Sequence, residues 1–231
     1  MMDAPRLAWL FDIDGTILLT EGASREAFSH ALHLRHGLTD NLRDIRFDGR
    51  TEPLILADIA AKHGLDFSNG EEAEFWNAVF DRMRQILKAP RGRLLPGAEA
   101  LIRRVGGEPG WVMGLLTGNM TEMARIKLAR FGLGEDFAFG AFGEQAENRE
   151  ALARIVVGKV GRDYGIPPLR CIVIGDTEHD VSCARSAGAR AVAVATGTRT
   201  RAELAALEPD LLLDDLSDPA ALLDFARSIE G

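Results

Sequence analysis

Short apolar segments recur along the chain, and each is bounded by polar residues or by glycine and proline. They lack the alternation of apolar and polar positions that marks a strand with one solvent-exposed face. They therefore predict strands that are buried on both faces, as in a parallel sheet. The predicted strands are Leu7–Phe11, Val112–Leu116, Cys171–Ile174, Ala191–Val194 and Leu211–Leu213, and Phe137–Phe142 is a sixth candidate.

Helical spacing of apolar residues separates most of these strands. Residues 152–160 carry apolar side chains at positions i, i+3, i+4 and i+8, and Gly165 marks the predicted end of that helix. Thr200–Glu203 has the Thr-x-x-Glu pattern of a capping box, which predicts the start of another helix. Strands that alternate with helices in this way are typical of an α/β protein with a parallel sheet.

One connection is much longer than the others. About 100 residues separate the first strand from the second, whereas a whole strand–helix–strand unit takes roughly 30. Within this stretch, residues 75–87 carry one apolar helical face, and residues 27–34 and 54–59 predict two further helices. We therefore predict a helical domain of residues 20–92, inserted into an α/β core domain of residues 1–19 and 93–231.

Composition and charge narrow the class of protein. Of the 231 residues, 46% are hydrophobic, which excludes a disordered chain. The net charge of −8 argues against a nucleic-acid or membrane-surface partner. The longest charge-free stretch, residues 109–121, is shorter than the roughly 18 residues of a membrane span. The two cysteines match neither a metal-binding spacing nor a disulfide framework. We expect a cytoplasmic monomer or homodimer.

The strongest chemical signal is Asp12-Ile13-Asp14-Gly15-Thr16, directly after the first predicted strand. In open parallel sheets, ligands bind at the carboxyl ends of the strands. Carboxylates two residues apart at a strand end point the same way. Asp12 and Asp14 can therefore hold a hard cation, or divide the roles of nucleophile and acid. Two acids beside a buried strand are costly unless they have a partner.

Two further predicted strands end in polar residues. Gly175-Asp176 ends one strand, at the same predicted sheet edge as Asp12, and Asp180 follows about one helical turn later. Acids from two strand ends form an oxygen-rich site suited to Mg²⁺. The segment Thr117-Gly118-Asn119 offers a hydroxyl, a backbone N–H and a helix N-terminus that can bind a phosphate. An ordinary helix cap is the alternative for this segment.

Together these three motifs resemble those of the haloacid dehalogenase-like hydrolase superfamily, in particular its phosphoglycolate phosphatase and β-phosphoglucomutase-like branch. The matching segments are DxDGT at residues 12–16, Thr-Gly-Asn at 117–119 and GDxxxD at 175–180. The resemblance covers nearly the whole chain, and a helical cap inserted after the first motif is also found in that branch. It implies a doubly wound, parallel α/β core of the Rossmann-like kind, and Mg²⁺ as cofactor.

The resemblance also implies a mechanism. Asp12 would be the nucleophile that forms an aspartyl phosphate. Asp14 would protonate the leaving oxygen and then activate the water that releases phosphate. The metal ligands would be Asp12, the main-chain carbonyl of Asp14, and Asp176, with Asp180 supporting the site. In this family an acid at the position of Asp14 accompanies phosphate-ester chemistry.

One family feature is missing. The family places a basic residue, usually in a Lys-Pro pair, ahead of its last motif, and this chain contains no Lys-Pro. Arg149 stands at about the expected place and can pair with a phosphoaspartate, and Lys127 and Lys159 are alternatives. In the inserted domain, Arg50 of Asp48–Thr51 is a candidate for binding a substrate phosphate or carboxylate, with a surface turn as the alternative.

Three functions are compatible with these residues. The first is a Mg²⁺-dependent phosphatase acting on a small phosphorylated metabolite. The second is a phosphomutase of the β-phosphoglucomutase type, which uses the same aspartyl phosphate but returns the phosphoryl group to another hydroxyl. The third is a non-catalytic module that binds or signals through a phosphorylated aspartate. The inserted helices and Asp14 argue against the third.

Overall fold

The predicted buried segments form one six-stranded parallel sheet in the computed structural model, which describes residues 6–67 and 70–230. The strand order is β5-β4-β1-β6-β7-β8, so the prediction of a parallel α/β fold is confirmed. The strands are β1 (Leu7–Phe11), β2 (Leu18–Leu19), β3 (Arg93–Leu94), β4 (Trp111–Leu116), β5 (Phe139–Ala141), β6 (Cys171–Gly175), β7 (Arg190–Val194) and β8 (Leu211–Leu213).

Helices follow most strands and cover both faces of the sheet. They are α1 (Ala23–His36), α2 (Glu52–His63), α3 (Glu71–Ile86), α4 (Ala98–Gly106), α5 (Thr121–Ala129), α6 (Arg149–Tyr164), α7 (Glu178–Ser186), α8 (Arg201–Ala205) and α9 (Ala220–Ile229). The predicted capping box at Thr200 starts α8, and Gly165 ends α6 in a left-handed conformation, as predicted.

Strand β1 lies in the middle of the sheet and is buried along its whole length. Ala8 pairs with Val112 of β4 on one side and with Cys171 of β6 on the other. Trp9 and Phe11 share a hydrophobic core with α4, α5 and α9. Their neighbours on the opposite face of the strand share a second core with α6, α7 and α8. This is the doubly wound arrangement that the sequence predicted.

The helices α1, α2 and α3, with the described residues between them, form the cap. Its hydrophobic core is separate from the two cores of the sheet and is rich in aromatic residues. Phe28 makes an edge-on contact with Trp76, at 5.5 Å between ring centroids. Leu34 shares the predicted helix with the buried residue Ala31 but is 62% exposed, so it does not belong to this core.

A short antiparallel ribbon marks the place where the chain leaves the sheet domain and returns to it. Leu18 of β2 pairs there with Leu94 of β3. The predicted limits of the inserted domain, residues 20 and 92, fall just inside this ribbon. The division of the chain into two domains at those residues stays a prediction.

Two further expectations concern the membrane and the cysteines. Within the described ranges, no helix is both long and apolar enough to cross a bilayer. Cys171 and Cys183 are free and buried. Burial raises the pKa of each thiol to about 12, so neither carries the thiolate character that reactivity requires.

Candidate active site

A cavity of about 280 Å³ lies at the carboxyl ends of the central strands, between the sheet and the cap. This is the edge at which ligands bind in open parallel sheets. The sheet domain contributes the predicted residues Asp12, Asp14, Gly118, Asn119, Arg149 and Asp176, together with Lys127. The cap contributes Ser24, Arg25, Phe47, Arg50, Glu52 and Ile55.

Three buried carboxylates meet at one side of this cavity. Oxygen atoms of Asp12, Asp176 and Asp180 all lie within 4.8 Å of one another. Asp12 follows β1 and its N–H donates to the carbonyl of Ile174, which ties it to β6 (2.9 Å). Asp176 follows β6, and Asp180 lies in the first turn of α7. The three carboxylates that sequence analysis placed at one sheet edge are thus brought together.

Burial shifts the titration of two carboxylates of this cluster, Asp12 and Asp176. Desolvation raises the pKa of Asp12 to about 6; the charge of Arg149 opposes that shift, and Asp180 and Asp14 add to it. Desolvation, Asp180 and Asp12 raise the pKa of Asp176 well above its ordinary value. A divalent cation would relieve the repulsion between the carboxylates, which adds to the effect of desolvation. The donor set, all carboxylate oxygen, is the kind that Mg²⁺ prefers.

The carboxylate of Asp180 already has protein partners on both of its oxygens. Its Oδ2 accepts hydrogen bonds from the N–H and the hydroxyl of Thr177, at 3.0 and 2.7 Å. Its Oδ1 accepts from the guanidinium of Arg149. Asp12 and Asp176 are therefore better placed as metal ligands, and the contacts of Asp180 suit the supporting role that the resemblance implies.

Two glycines leave room for the carboxylate of Asp176. A Cβ atom on Gly197 would lie 1.6 Å from Asp176 Oδ2, and one on Gly15 would lie 2.5 Å from Asp176 Cγ. Gly15 also has a positive φ of 84°, which disfavours a side chain. Gly197 does not have a positive φ, so glycine is required there only because a side chain would clash with Asp176. Sequence analysis did not identify Gly197.

Two of the three candidate basic residues reach the cavity. Arg149 is 5% exposed, contacts Asp180 and lies 3.4 Å from Asp12 Oδ2. Burial would lower the pKa of Arg149, but the charges of Asp12 and Asp180 outweigh burial and raise it. Lys127 is also buried, and its Nζ donates to both oxygens of Asp14 at 2.8 and 2.7 Å. Lys159 instead pairs with Asp163 on the surface.

The loop after β4, residues 117–120, is held by internal hydrogen bonds. The Thr117 hydroxyl accepts from the backbone N–H and the side-chain amide of Asn119, at 3.2 and 2.7 Å. The same amide donates to Asp14 Oδ2 (2.8 Å), and the amide oxygen accepts from Lys127 (2.6 Å). Gly118 and Asn119 line the cavity, and Thr117 is fully buried.

The N-terminus of α5 is occupied by carboxylates. The N–H of Met120 donates to Glu52 Oε2 (2.8 Å), and that of Thr121 donates to Glu144 Oε1 (3.1 Å). These first N–H groups, which sequence analysis offered to a phosphate, therefore already have acceptors. Within the described part of the chain the N–H of Gly118 makes no hydrogen bond, so it is the backbone donor of this loop that a ligand can use.

The cap brings the candidate Arg50 to the cavity, but not as an isolated cation. Arg50 Nη2 pairs with Asp58 Oδ2 at 2.8 Å. Two residues later, Glu52 is 4% exposed and also lines the cavity. Sequence analysis missed Glu52 because an acid followed by proline at a helix start is an ordinary pattern.

Comparisons with known proteins agree with this geometry. The chain is 28% identical over 206 residues to the phosphoglycolate phosphatase of Xanthomonas campestris pv. campestris, covering 86% of each protein. It is 26% identical over 223 residues to the pyrophosphatase PpaX of Bacillus cereus, covering 95% of this chain and 97% of PpaX. The structure of CbbY from Rhodobacter sphaeroides in complex with phosphate matches with a TM-score of 0.75 at 23% identity, covering 92% of this chain and 96% of CbbY.

The model of the haloacid dehalogenase-like hydrolase family matches residues 9–185, from β1 to α7, which include all three motifs and the cap. The chain belongs to this family, and the resemblance read from its motifs is confirmed. The two relatives named above are phosphatases and cover 95% and 86% of this chain. The chain is therefore a haloacid dehalogenase-like phosphatase.

The raised pKa values predict how metal-free stability depends on pH. The folded protein keeps protons on Asp12 and Asp176 at pH values where the unfolded chain has lost them. This stabilisation is complete below about pH 4 and is lost as pH rises through the folded-state pKa values. In EDTA we expect Tm to fall by roughly 5 °C between about pH 5 and pH 8. Excess Mg²⁺ should remove most of that fall.

Differential scanning fluorimetry across pH, in EDTA and in Mg²⁺, measures this dependence. Asp176→Asn removes one buried carboxylate and should flatten the EDTA profile. A wild-type Tm in EDTA that rises over this interval would contradict the assignment of the buried carboxylates.

Gly197→Ala tests whether the space around Asp176 matters. The new methyl group should displace the Asp176 carboxylate and weaken Mg²⁺ binding by roughly 10- to 100-fold, the usual effect of disturbing a group that orients a metal ligand. Gly134→Ala is the matched control, because a Cβ there has no neighbour closer than 3.9 Å. Isothermal titration with Mg²⁺ measures both variants, and equal affinities would refute the role of Gly197.

Proposed function

We propose that this phosphatase is Mg²⁺-dependent and hydrolyses a small phosphorylated metabolite through an aspartyl phosphate on Asp12. The observation that carries the proposal is the buried cluster of Asp12, Asp176 and Asp180 at the base of a cavity. The nearby cations Arg149 and Lys127 support it, because a carboxylate approaches a phosphate dianion only where the repulsion is offset.

In the first step, an oxygen of Asp12 attacks phosphorus and the bond from phosphorus to the ester oxygen breaks. The leaving oxygen keeps the bonding electron pair and takes a proton from Asp14, which enters this step as the carboxylic acid and returns to the carboxylate. Lys127 and Asn119 hold the carboxyl group of Asp14 at the cavity. Bound Mg²⁺, with Asp12 and Asp176 as side-chain ligands, would supply positive charge that offsets the charge of the phosphoryl group.

In the second step, Asp14 removes a proton from a water molecule, whose oxygen attacks the phosphorus of the aspartyl phosphate. The bond between phosphorus and Asp12 breaks, which releases inorganic phosphate and restores the carboxylate. The N–H of Gly118, which has no acceptor within the described residues, is positioned to donate to a phosphoryl oxygen. Arg149, 3.4 Å from Asp12, balances charge on the nucleophile.

The cap limits the size of the leaving group. The cavity is about 280 Å³ and is lined on the cap side by Phe47, Ile55 and the ion-paired Arg50. A small metabolite phosphate fits such a volume better than a macromolecule. The names of the relatives suggest phosphoglycolate and pyrophosphate as the first two compounds to test.

Asp12→Asn tests the nucleophile. Phosphate release from p-nitrophenyl phosphate and a panel of metabolite phosphates should fall by roughly 10³-fold or more, because the amide is a poor nucleophile. Wild-type release should require Mg²⁺ and stop in EDTA. Full activity in Asp12→Asn would overturn the aspartyl-phosphate mechanism. An isomerised sugar phosphate with no free phosphate would identify a mutase instead.

Asp14→Asn tests the acid and base. It should lower kcat by roughly 10²- to 10⁴-fold, the usual contribution of general acid–base catalysis. The loss should be smaller for p-nitrophenyl phosphate, whose leaving group needs little protonation, than for an alkyl phosphate. Asp163→Asn makes the same change in a surface ion pair and is expected to keep kcat. An unchanged kcat in Asp14→Asn rules out this role.

A further inference from the structure

Glu52 joins the cap to the loop after β4 by two hydrogen bonds that run in opposite directions. Its Oε2 accepts from the N–H of Met120, and its own N–H donates to the carbonyl of Gly118, each at 2.8 Å. Glu52 is the first residue of α2, so both bonds cross from the cap to the sheet domain. Neither the motifs nor the proposed chemistry uses this residue.

The contact around Glu52 is close. A Cβ atom on Gly118 would lie 2.2 Å from the carbonyl oxygen of Arg50, so the cap backbone sits directly on the loop. In the segment after β5, a Cβ atom on Gly143 would lie 2.2 Å from the carbonyl oxygen of Gly118 and 3.3 Å from Pro53 Cδ of the cap. The loop is thus enclosed between the cap and the segment after β5, and it fits there because both residues are glycine.

Burial of a carboxyl group at this place is unfavourable unless its contacts compensate. Desolvation raises the pKa of Glu52 to about 7; Lys127 and the Met120 N–H oppose the shift, and Asp14 and Glu144 add to it. An apolar residue would fill the position without this cost. The acid is therefore explained by what its oxygen holds, which is the backbone of Met120.

Capping of α5 does not by itself explain Glu52. Glu144, from the sheet domain, already accepts from the N–H and the hydroxyl of Thr121 at the same helix end. What Glu52 adds is a connection from the cap to a loop that orders the site. Between Gly118 and Met120, the same loop carries Asn119, whose side chain contacts both Lys127 and Asp14.

We propose that Glu52 is a positioning residue that couples docking of the cap to ordering of the phosphate-binding loop, residues 117–120. The kinetic part of this inference rests on the proposed function, because that loop then binds the transferred phosphoryl group. The structural part is independent of activity: loss of the Glu52 carboxylate should loosen the cap segment 47–56 and the loop together.

Three variants of the full chain test the proposal. Glu52→Ala removes the acceptor, and Glu52→Gln keeps an oxygen at the same reach without the charge. Glu144→Ala is the matched control, because it removes a carboxylate from the same helix end without cutting a bond to the cap. Amide hydrogen exchange is measured on peptides covering 47–56 and 117–124. The kcat and KM are measured with the best substrate of the panel, and Tm shows that each variant is folded.

Glu52→Ala should exchange faster in both segments and lose roughly 10- to 100-fold in kcat, the effect of deleting a hydrogen bond from a charged group, with a smaller change in KM. Glu52→Gln should restore slow exchange and most of kcat. Glu144→Ala should speed exchange only near residues 121–124.

Unchanged exchange at 47–56 in a folded Glu52→Ala protein would overturn the proposal, as would an equal effect of Glu144→Ala on both segments. If Glu52→Ala does not fold, Glu52→Asp replaces it, since its shorter side chain withdraws the oxygen from Met120. Wild-type protein with no phosphate release on any compound would reject the proposed function, while the exchange data would still decide the coupling.

Discussion

Several carboxylates must be held out of water at the centre of one sheet edge, and this constraint governs the site. Asp12, Asp176 and Asp180 converge because β1 and β6 are neighbours whose carboxyl ends meet. A buried carboxylate is tolerated only with a charged or hydrogen-bonding partner. Arg149 and Lys127 are therefore buried as well, and each faces a different acid of the first motif. The surrounding glycines and threonines leave space for these groups or donate to them.

Helix α5 shows how the same constraint links the two parts of the protein. Met123 and Ile126 pack into the core of the cap, whereas Ala124 and Leu128 pack into the core of the sheet domain. Between them, Lys127 reaches into the cavity and forms an ion pair with Asp14. One helix of nine residues thus belongs to both hydrophobic cores and to the charge balance of the site.

Local pattern was enough to predict the sheet and the position of the acids. A strand such as Leu7–Phe11 is apolar at every position because both faces are covered, and the acids that follow it mark the edge of the sheet. Which cation meets which acid depended on packing between distant elements. From the sequence Arg149 and Lys127 are alternatives, yet in the structure both line the cavity. The sequence pattern did not identify Glu52, because its partners Gly118 and Met120 are more than 60 residues away in sequence.

The dual packing of α5 bears on how proteins of this architecture diversify. An inserted domain is easily regarded as an exchangeable module. On that view, moving residues 20–92 into a related protein would also transfer substrate selectivity. Here the contacts extend past the predicted insertion, since Met123 and Ile126 lie outside residues 20–92 yet pack into the hydrophobic core of the cap. A working chimera would have to carry the outer face of α5 along with the insertion. Sequence changes in the insertion and in the outer face of α5 therefore depend on one another.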